Sequence, residues 1–231
     1  MADGRPVAVI AALAEEAHGL VRRMPRSESV GPRLSVWEIG GLAVIVAGVG
    51  KVAAAMAAQY ACDVFKPRCV IAIGLAGGIE DDVRPGQVII ASGAAQHDID
   101  ARPLTDAKGV IPGLGLSIIR ADAAVAEKLL LAARFESKDA RLGLVLTGDR
   151  IITARAVRDG LVRDFPDGAC IDMETAAVAQ VAHQNGLPWS AVRVISDFAD
   201  EAFDLRGVIG FGTSTAANLF ESIIQAVADE L

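Results

Sequence analysis

Ala169-Cys170-Ile171-Asp172-Met173-Glu174-Thr175-Ala176, joined further on by Ala191-Val192-Arg193-Val194-Ile195-Ser196-Asp197, decides how this chain is read. Both are short apolar runs that stop in carboxylates. A strand buried on both faces reads as a continuous apolar run. It normally ends in turn residues, not in acids that lose their hydration when buried. In α/β sheets the carboxyl ends of the strands are where sites are built. The two runs therefore point to an α/β sheet, and their acids are the first candidates for chemistry.

The same pattern repeats outward from them. Val7 to Leu13, Leu34 to Ile39, Leu42 to Val46, Cys69 to Ile73, Gln87 to Ala91, Leu142 to Leu146 and Trp189 to Ile195 read as further strands. Glu15 to Met24, Lys51 to Phe65, Ala121 to Phe135, Ala154 to Phe165, the stretch after Asp172 to about Gln184, and Phe211 to Leu231 read as helices. Gly40-Gly41 between two strands is a two-residue hairpin signal. His97 to Gly115 is polar and aperiodic, the kind of long loop that serves as a lid or an interface. No repeat or low-complexity linker divides the chain. The expected architecture is one α/β domain over residues 1–231, a central, mixed and mostly buried β-sheet flanked by helices.

Composition sets the bounds. A chain of 231 residues that is 52% hydrophobic can bury a core without staples. Its net charge of −7 and lack of a Lys/Arg block argue against a nucleic-acid partner, as does an aromatic content of 4%. Cys62, Cys69 and Cys170 sit in apolar runs without a CxxC pattern and read as buried free thiols. No signal peptide precedes the first strand and no run is long enough to span a bilayer, so a cytoplasmic location and no membrane partner are expected.

Two glycine clusters are candidates for ligand loops. Gly48-Val49-Gly50-Lys51 follows a strand and opens a helix, but Val52 stands where a Walker loop needs Ser or Thr. It reads as a tight strand–helix turn whose amides approach a ligand. Gly74-Leu75-Ala76-Gly77-Gly78 is not a dinucleotide fingerprint. Its glycines let the backbone pass close either to a ligand or to another strand.

Together the loops and acids resemble the nucleoside phosphorylase/nucleosidase superfamily, and within it the 5′-methylthioadenosine/S-adenosylhomocysteine nucleosidases. The resemblance rests on Ala11-Ala12-Leu13-Ala14-Glu15-Glu16, the Gly48 and Gly74 clusters, Thr147-Gly148-Asp149, Asp172-Met173-Glu174 and Val194-Ile195-Ser196-Asp197, in family order over nearly the whole chain. It implies hydrolysis of the N-glycosidic bond of an adenine nucleoside, with no cofactor and no metal. Asp197 matches the acid that protonates the leaving adenine; to donate at neutral pH it has to keep its proton, which burial favours. From sequence alone Ser196 and Asp197 are also good helix N-caps. Glu16 matches the base that activates water, although acids at a helix start are also favoured by the macrodipole. Glu174 matches the residue that grips the ribose diol, and Met173 the one that covers the ribose. Arg193, on the strand that ends at Asp197, is expected either to hold one of these acids in place or to form a plain structural ion pair, and Asp172 to play a structural role.

Ile151 and Ile152 would hold the adenine, with Ile151 standing where the family has an aromatic residue. Leu13, Val49, Ala76, Gly77 and Ser196 complete the expected substrate site. Phosphorylases of the superfamily have an Arg and a Ser or Thr where this chain has Ala72 and Leu75, so water is the favoured nucleophile. Leu75 also departs from the nucleosidases, which have Ser there, and Gly207 stands near the place of a Phe that packs the 5′-substituent. A bulkier, lipophilic 5′-group is the alternative substrate. A purine nucleoside phosphorylase, and a catalytically inactive nucleoside-binding protein, are the alternative functions. The His97–Pro112 segment corresponds to the part that family members lend across a homodimer interface. His97, Asp98 and Asp100 superficially suggest a metal cluster that the family chemistry does not need. His18 and His183 fall in helical patterns, at the surface or in helix packing.

Overall fold

The computed structural model describes residues 4–22 and 34–231. The first three residues and Met24, the expected end of the first helix, lie outside the described residues. Among the described residues nine strands form the sheet: β1 (Val7–Ala11), β2 (Ser35–Ile39), β3 (Leu42–Val46), β4 (Cys69–Gly78), β5 (Val88–Gln96), β6 (Ile119–Arg120), β7 (Arg141–Thr147), β8 (Gly168–Asp172) and β9 (Trp189–Asp197). The α-helices described with them are α1 (Ala14–Val21), α2 (Lys51–Val64), α3 (Ala123–Glu136), α4 (Arg155–Asp164), α5 (Thr175–Gln184), α6 (Leu205–Phe211) and α7 (Ala217–Val227). The architecture is the single α/β domain with a mixed central sheet that the sequence suggests.

The sheet does more than lie flat. β4 pairs with β9 in parallel, β9 with β5 antiparallel, β5 with β7 and β7 with β8 in parallel, and β8 returns to the end of β4 antiparallel. These five strands close a ring. β1, β3 and β2 extend it from β4, and β6 extends it from β5. The hairpin register Ile39↔Leu42 leaves Gly40 and Gly41 as the turn, at φ of 53° and 80°. Two left-handed residues in succession are what a type I′ turn requires, and its twist matches that of the strands.

Helices cover both faces. α2 and α5 pack together over an Ala-rich core with Ile45, Val70 and Ile195, and α7 packs on α1 and α3 over Ile71, Val192 and Phe220. Small residues let the helices approach the sheet closely, so the continuous apolar runs become fully buried strands.

Several boundaries differ from expectation. β4 continues through the glycine cluster to Gly78, because its late residues gain β9 and then β8 as neighbours. β9 likewise runs on to Asp197. The two-residue β6 carried no sequence signal. The last helix begins earlier, at Leu205, and passes through a π-helical turn at Gly212–Ala216 before α7. Such turns mark sites of local strain or function. Cys62, Cys69 and Cys170 are buried free thiols.

Candidate active site

The strand ends converge on one pocket of about 300 Å³. β1 and α1 bring Leu13 and Glu16; the β3–α2 turn brings Val49; β4 brings Leu75, Ala76 and Gly77. Ile151 and Ile152 come from the loop after β7, Asp172, Met173 and Glu174 from the end of β8, and Ser196 and Asp197 from the end of β9. Every residue expected to bind or act lines this pocket except Arg193, which lies beneath it, 1% exposed. Glu15, Arg150, Ala199, Phe203, Leu205, Val208, Ile209 and Gly212 also line it without having been singled out as site residues. Most belong to the α6 region, whose place at the pocket depends on tertiary packing.

Glu16 is buried, 4% exposed. One oxygen accepts from the Ala12 and Leu13 amides at 3.0 and 2.9 Å, and the other from the Leu75 amide at 3.0 Å. Burial raises its proton affinity above the ordinary carboxylate value, opposed by Arg193 and these amides. Its neighbour Glu15 is half-buried.

Glu174 sits at the N-cap of α5 but does not cap it. Asp172 takes the Thr175 amide instead, at 2.9 Å, leaving Glu174 to face the pocket. Its Oε1 accepts from the Gly50 amide at 2.9 Å. Burial, then the Asp172 charge, push the Glu174 carboxyl up to about 7; Arg193 and the Gly50 amide oppose them. Met173 beside it is half-buried.

The turn at Gly48–Lys51 is therefore not an open anion cradle. Its Gly50 amide is taken by Glu174 and its Lys51 amide by Asp149 at 2.8 Å. Gly50 has φ of 103°, a conformation that favours glycine. Gly74 answers the other glycine question differently. A Cβ there would lie 2.0 Å from Arg193 Nη1 and 2.9 Å from Glu16 Oε1, so the glycine admits a guanidinium.

Asp197 departs from expectation in two ways. No helix begins at it: α6 starts at Leu205 and is capped by Asp204. The N-cap reading is thus excluded. Nor is it fully buried; it stands half-buried on the pocket wall. Ser196 Oγ donates to Oδ2 at 2.7 Å and the Ala199 amide to Oδ1 at 2.8 Å, fixing the carboxyl plane.

The pocket has a polar floor and an apolar wall. Ile152 is buried, whereas Ile151 is 51% exposed at the mouth. Leu75 reaches the π-helical turn: a Cβ on Gly212 would lie 3.1 Å from Leu75 Cδ1. Phe203, Leu205, Val208 and Ile209 continue that wall. The His97–Asp100 group is not assembled as a cluster. Asp98 binds Lys51 Nζ at 2.7 Å, Asp100 binds Arg102, and His97 is buried against Gly148. Among the described residues, no three His, Cys, Asp or Glu side chains are placed to hold a metal ion. His18 and His183 are exposed on their helices.

Acids at the ends of strands in a ringed α/β sheet, around a nucleoside-sized cavity, define the class, and residues 6–228 match the model of the phosphorylase superfamily. A 5′-methylthioadenosine/S-adenosylhomocysteine nucleosidase from Geobacillus thermodenitrificans is 35% identical over 200 residues, 84% of this chain and 84% of its own. The solved structure of the nucleosidase from Neisseria meningitidis, in complex with methylthio-immucillin-A, superposes with a TM-score of 0.89 at 30% identity. It is covered in full, over 98% of this chain. The S-adenosylhomocysteine nucleosidase of Streptococcus pyogenes, in complex with 5-methylthiotubericidin, gives 0.88 at 25% identity, over 98% of this chain and 97% of that one. The chain belongs to the phosphorylase superfamily and, within it, to the 5′-methylthioadenosine/S-adenosylhomocysteine nucleosidase family.

Proposed function

We propose that the protein hydrolyses the N-glycosidic bond of an adenine nucleoside of the 5′-methylthioadenosine/S-adenosylhomocysteine type, releasing adenine. The observation that carries this reading is the meeting of Glu16, Glu174 and Asp197 on one pocket above the buried Arg193.

Asp197 protonates N7 of adenine as the C1′–N9 bond breaks and its electron pair passes to the base. Ser196 and the Ala199 amide orient the acid. Water forms the new C1′–O bond and gives a proton to Glu16, whose raised proton affinity suits a base near neutrality. Arg193 Nη1 and Nη2 are both buried without a hydrogen-bond partner, Nη2 lying 2.7 Å from Asp172 Oδ2 as an ion pair, which leaves Nη1 as a donor that an ordered water would satisfy. Glu174 accepts from the ribose hydroxyls, and Met173 covers the ring. A charged carboxylate there also favours the cationic, oxocarbenium-like sugar. Adenine lies by Ile151 and Ile152, with Ala76 and Gly77 beneath and the Ile152 main chain reading its edge. Leu13 and Val49 close the sugar side.

Hydrolysis is favoured over phosphorolysis on electrostatic grounds. Ala72 and Leu75 offer phosphate no partner, the Gly50 and Lys51 amides are occupied, and the nearby carboxylates repel an anion. The apolar wall from Leu75 to Ile209 favours a second substrate, an adenosine with a bulkier lipophilic 5′-group. A homodimer built through His97–Pro112, a cytoplasmic location and a part in methionine salvage follow from the family resemblance. No helix among the described residues is long and apolar enough to cross a membrane.

The test is adenine release from a panel of 5′-substituted adenosines and inosines, with and without phosphate. Release from methylthioadenosine in phosphate-free buffer is the expected result. An absolute requirement for phosphate or arsenate overturns hydrolysis. Tight binding without any release points to the inactive binding protein.

A further inference from the structure

Asp172 holds more contacts than a scaffold acid needs. Its Oδ1 accepts from Thr147 Oγ at 2.5 Å, and Thr147 in turn accepts from the Ala176 amide at 2.9 Å. Its Oδ2 accepts from the Thr175 amide and the Thr175 hydroxyl at 2.9 and 2.5 Å, and meets Arg193 Nη2 at 2.7 Å. Thr175 Oγ also accepts from Arg193 Nε at 2.9 Å. Capping α5 requires only the first of these Oδ2 contacts.

We propose that Asp172 and Thr175 are positioning residues for the reaction: they fix the Arg193 guanidinium, and it aligns Glu16 and Glu174. The inference rests on the nucleosidase reading and deepens it. A guanidinium is planar. Held at Nε by Thr175 and at Nη2 by Asp172, it has no freedom left at Nη1. That nitrogen is driven across Gly74 beside Glu16 Oε1, and stands 4.0 Å from Glu174 Oε2. It is the one donor of the fork aimed at both pocket acids. Without the Asp172–Thr175 hold, the guanidinium would be free to collapse onto either acid as a simple ion pair, and the geometry that serves water and ribose together would be lost.

Asp172 also acts through its charge. Four groups face Glu174: Asp172 from β8, Arg193 from β9, Glu16 from α1, and the Gly50 amide from the turn before α2. Of the charged ones, Asp172 and Glu16 favour the protonated Glu174 and Arg193 opposes them. Neutralising Asp172 must therefore move the Glu174 titration to lower pH.

The experiment compares wild type, Asp172→Asn, Thr175→Val and Thr175→Ser in adenine release from methylthioadenosine between pH 5 and 9, with Tm measured for each. Asp172→Asn and Thr175→Val should each lose about 10²-fold in kcat. The loss should fall mainly on kcat, with a smaller rise in KM from the displaced ribose grip. The pH limb belonging to Glu174 should move acidward in Asp172→Asn, and Thr175→Ser, which keeps the hydroxyl, should keep the rate. If Asp172→Asn does not fold, the Thr175 pair carries the test. Wild-type kcat and pH profile in Thr175→Val or Asp172→Asn, with only Tm lowered, overturn the proposal and leave a scaffold role. Failure of the wild type itself to release adenine overturns the nucleosidase reading, and this inference with it.

Discussion

Glu174→Gln probes the electrostatics of the pocket through stability instead of turnover. Glu174 titrates at about 7 in the folded chain against 4.5 for the ordinary carboxyl, mainly because it is buried. Between those values the folded chain holds a proton that the unfolded chain has released. Stability therefore falls as pH rises from 4.5 to 7, and this contribution is constant above that range. At about 1.4 kcal/mol per pH unit, the loss comes to about 3 kcal/mol. The glutamine amide is still able to accept from the Gly50 N–H but has no charge to desolvate. Relative to wild type, Glu174→Gln should gain about 2.5 kcal/mol between pH 5 and pH 8, since part of the loss is already complete at pH 5. Urea unfolding of both proteins across that range measures it. Glu16, raised in the same direction by burial, remains in both and leaves a shared slope. Parallel stability curves for the two proteins would refute the reasoning.

Gly74→Ala should cost about 3 kcal/mol or more, because its methyl group displaces the buried Arg193 guanidinium; thermal unfolding and adenine release should both register the change. Asp197→Asn should abolish release while methylthioadenosine still binds by calorimetry, and an unchanged rate would remove Asp197 as the acid. Burial pushes the Cys69 thiol up to about 11 and the Cys62 and Cys170 thiols upward as well. A thiol-reactive dye at pH 8 should therefore label the native protein slowly, and all three cysteines once urea unfolds it.

Periodicity made most of the fold legible, and the reasons are local. Val7 to Ala11 and Leu42 to Val46 are apolar on every residue because both sheet faces are covered, and Gly40-Gly41 states its own turn. What escaped depends on partners distant in sequence. Nothing in Gly74–Gly78 announces strand, since its extended form comes from pairing with β9 and β8. The early start of α6 was hidden by Gly207, Gly210 and Gly212, poor helix formers in isolation. At the pocket, the acids were found because a carboxylate after an apolar run is out of place, but roles for them came only from resemblance. At the end of an apolar run Asp172 carries no local sign of a partner beyond the helix that follows it. The contact with Arg193 that changes its meaning spans strands that no local pattern relates. The apolar wall from Phe203 to Ile209 is assembled only by tertiary packing, which no local pattern in that stretch announces.

The closed ring of strands bears on how the protein comes apart. Four of the segments that deliver pocket residues, β4, β7, β8 and β9, belong to the ring and have a neighbour on each side. The exposed margins are β2 and the two-residue β6, which carry none of the acids. Fraying begins at such margins and spends its openings there. Amide protons along β4 and β9 should therefore exchange with solvent only when the whole domain unfolds. The part of the pocket hung from such a ring is gained or lost in a single cooperative event, so a folded population lacking Glu174 and Asp197 in place has no cheap way to arise.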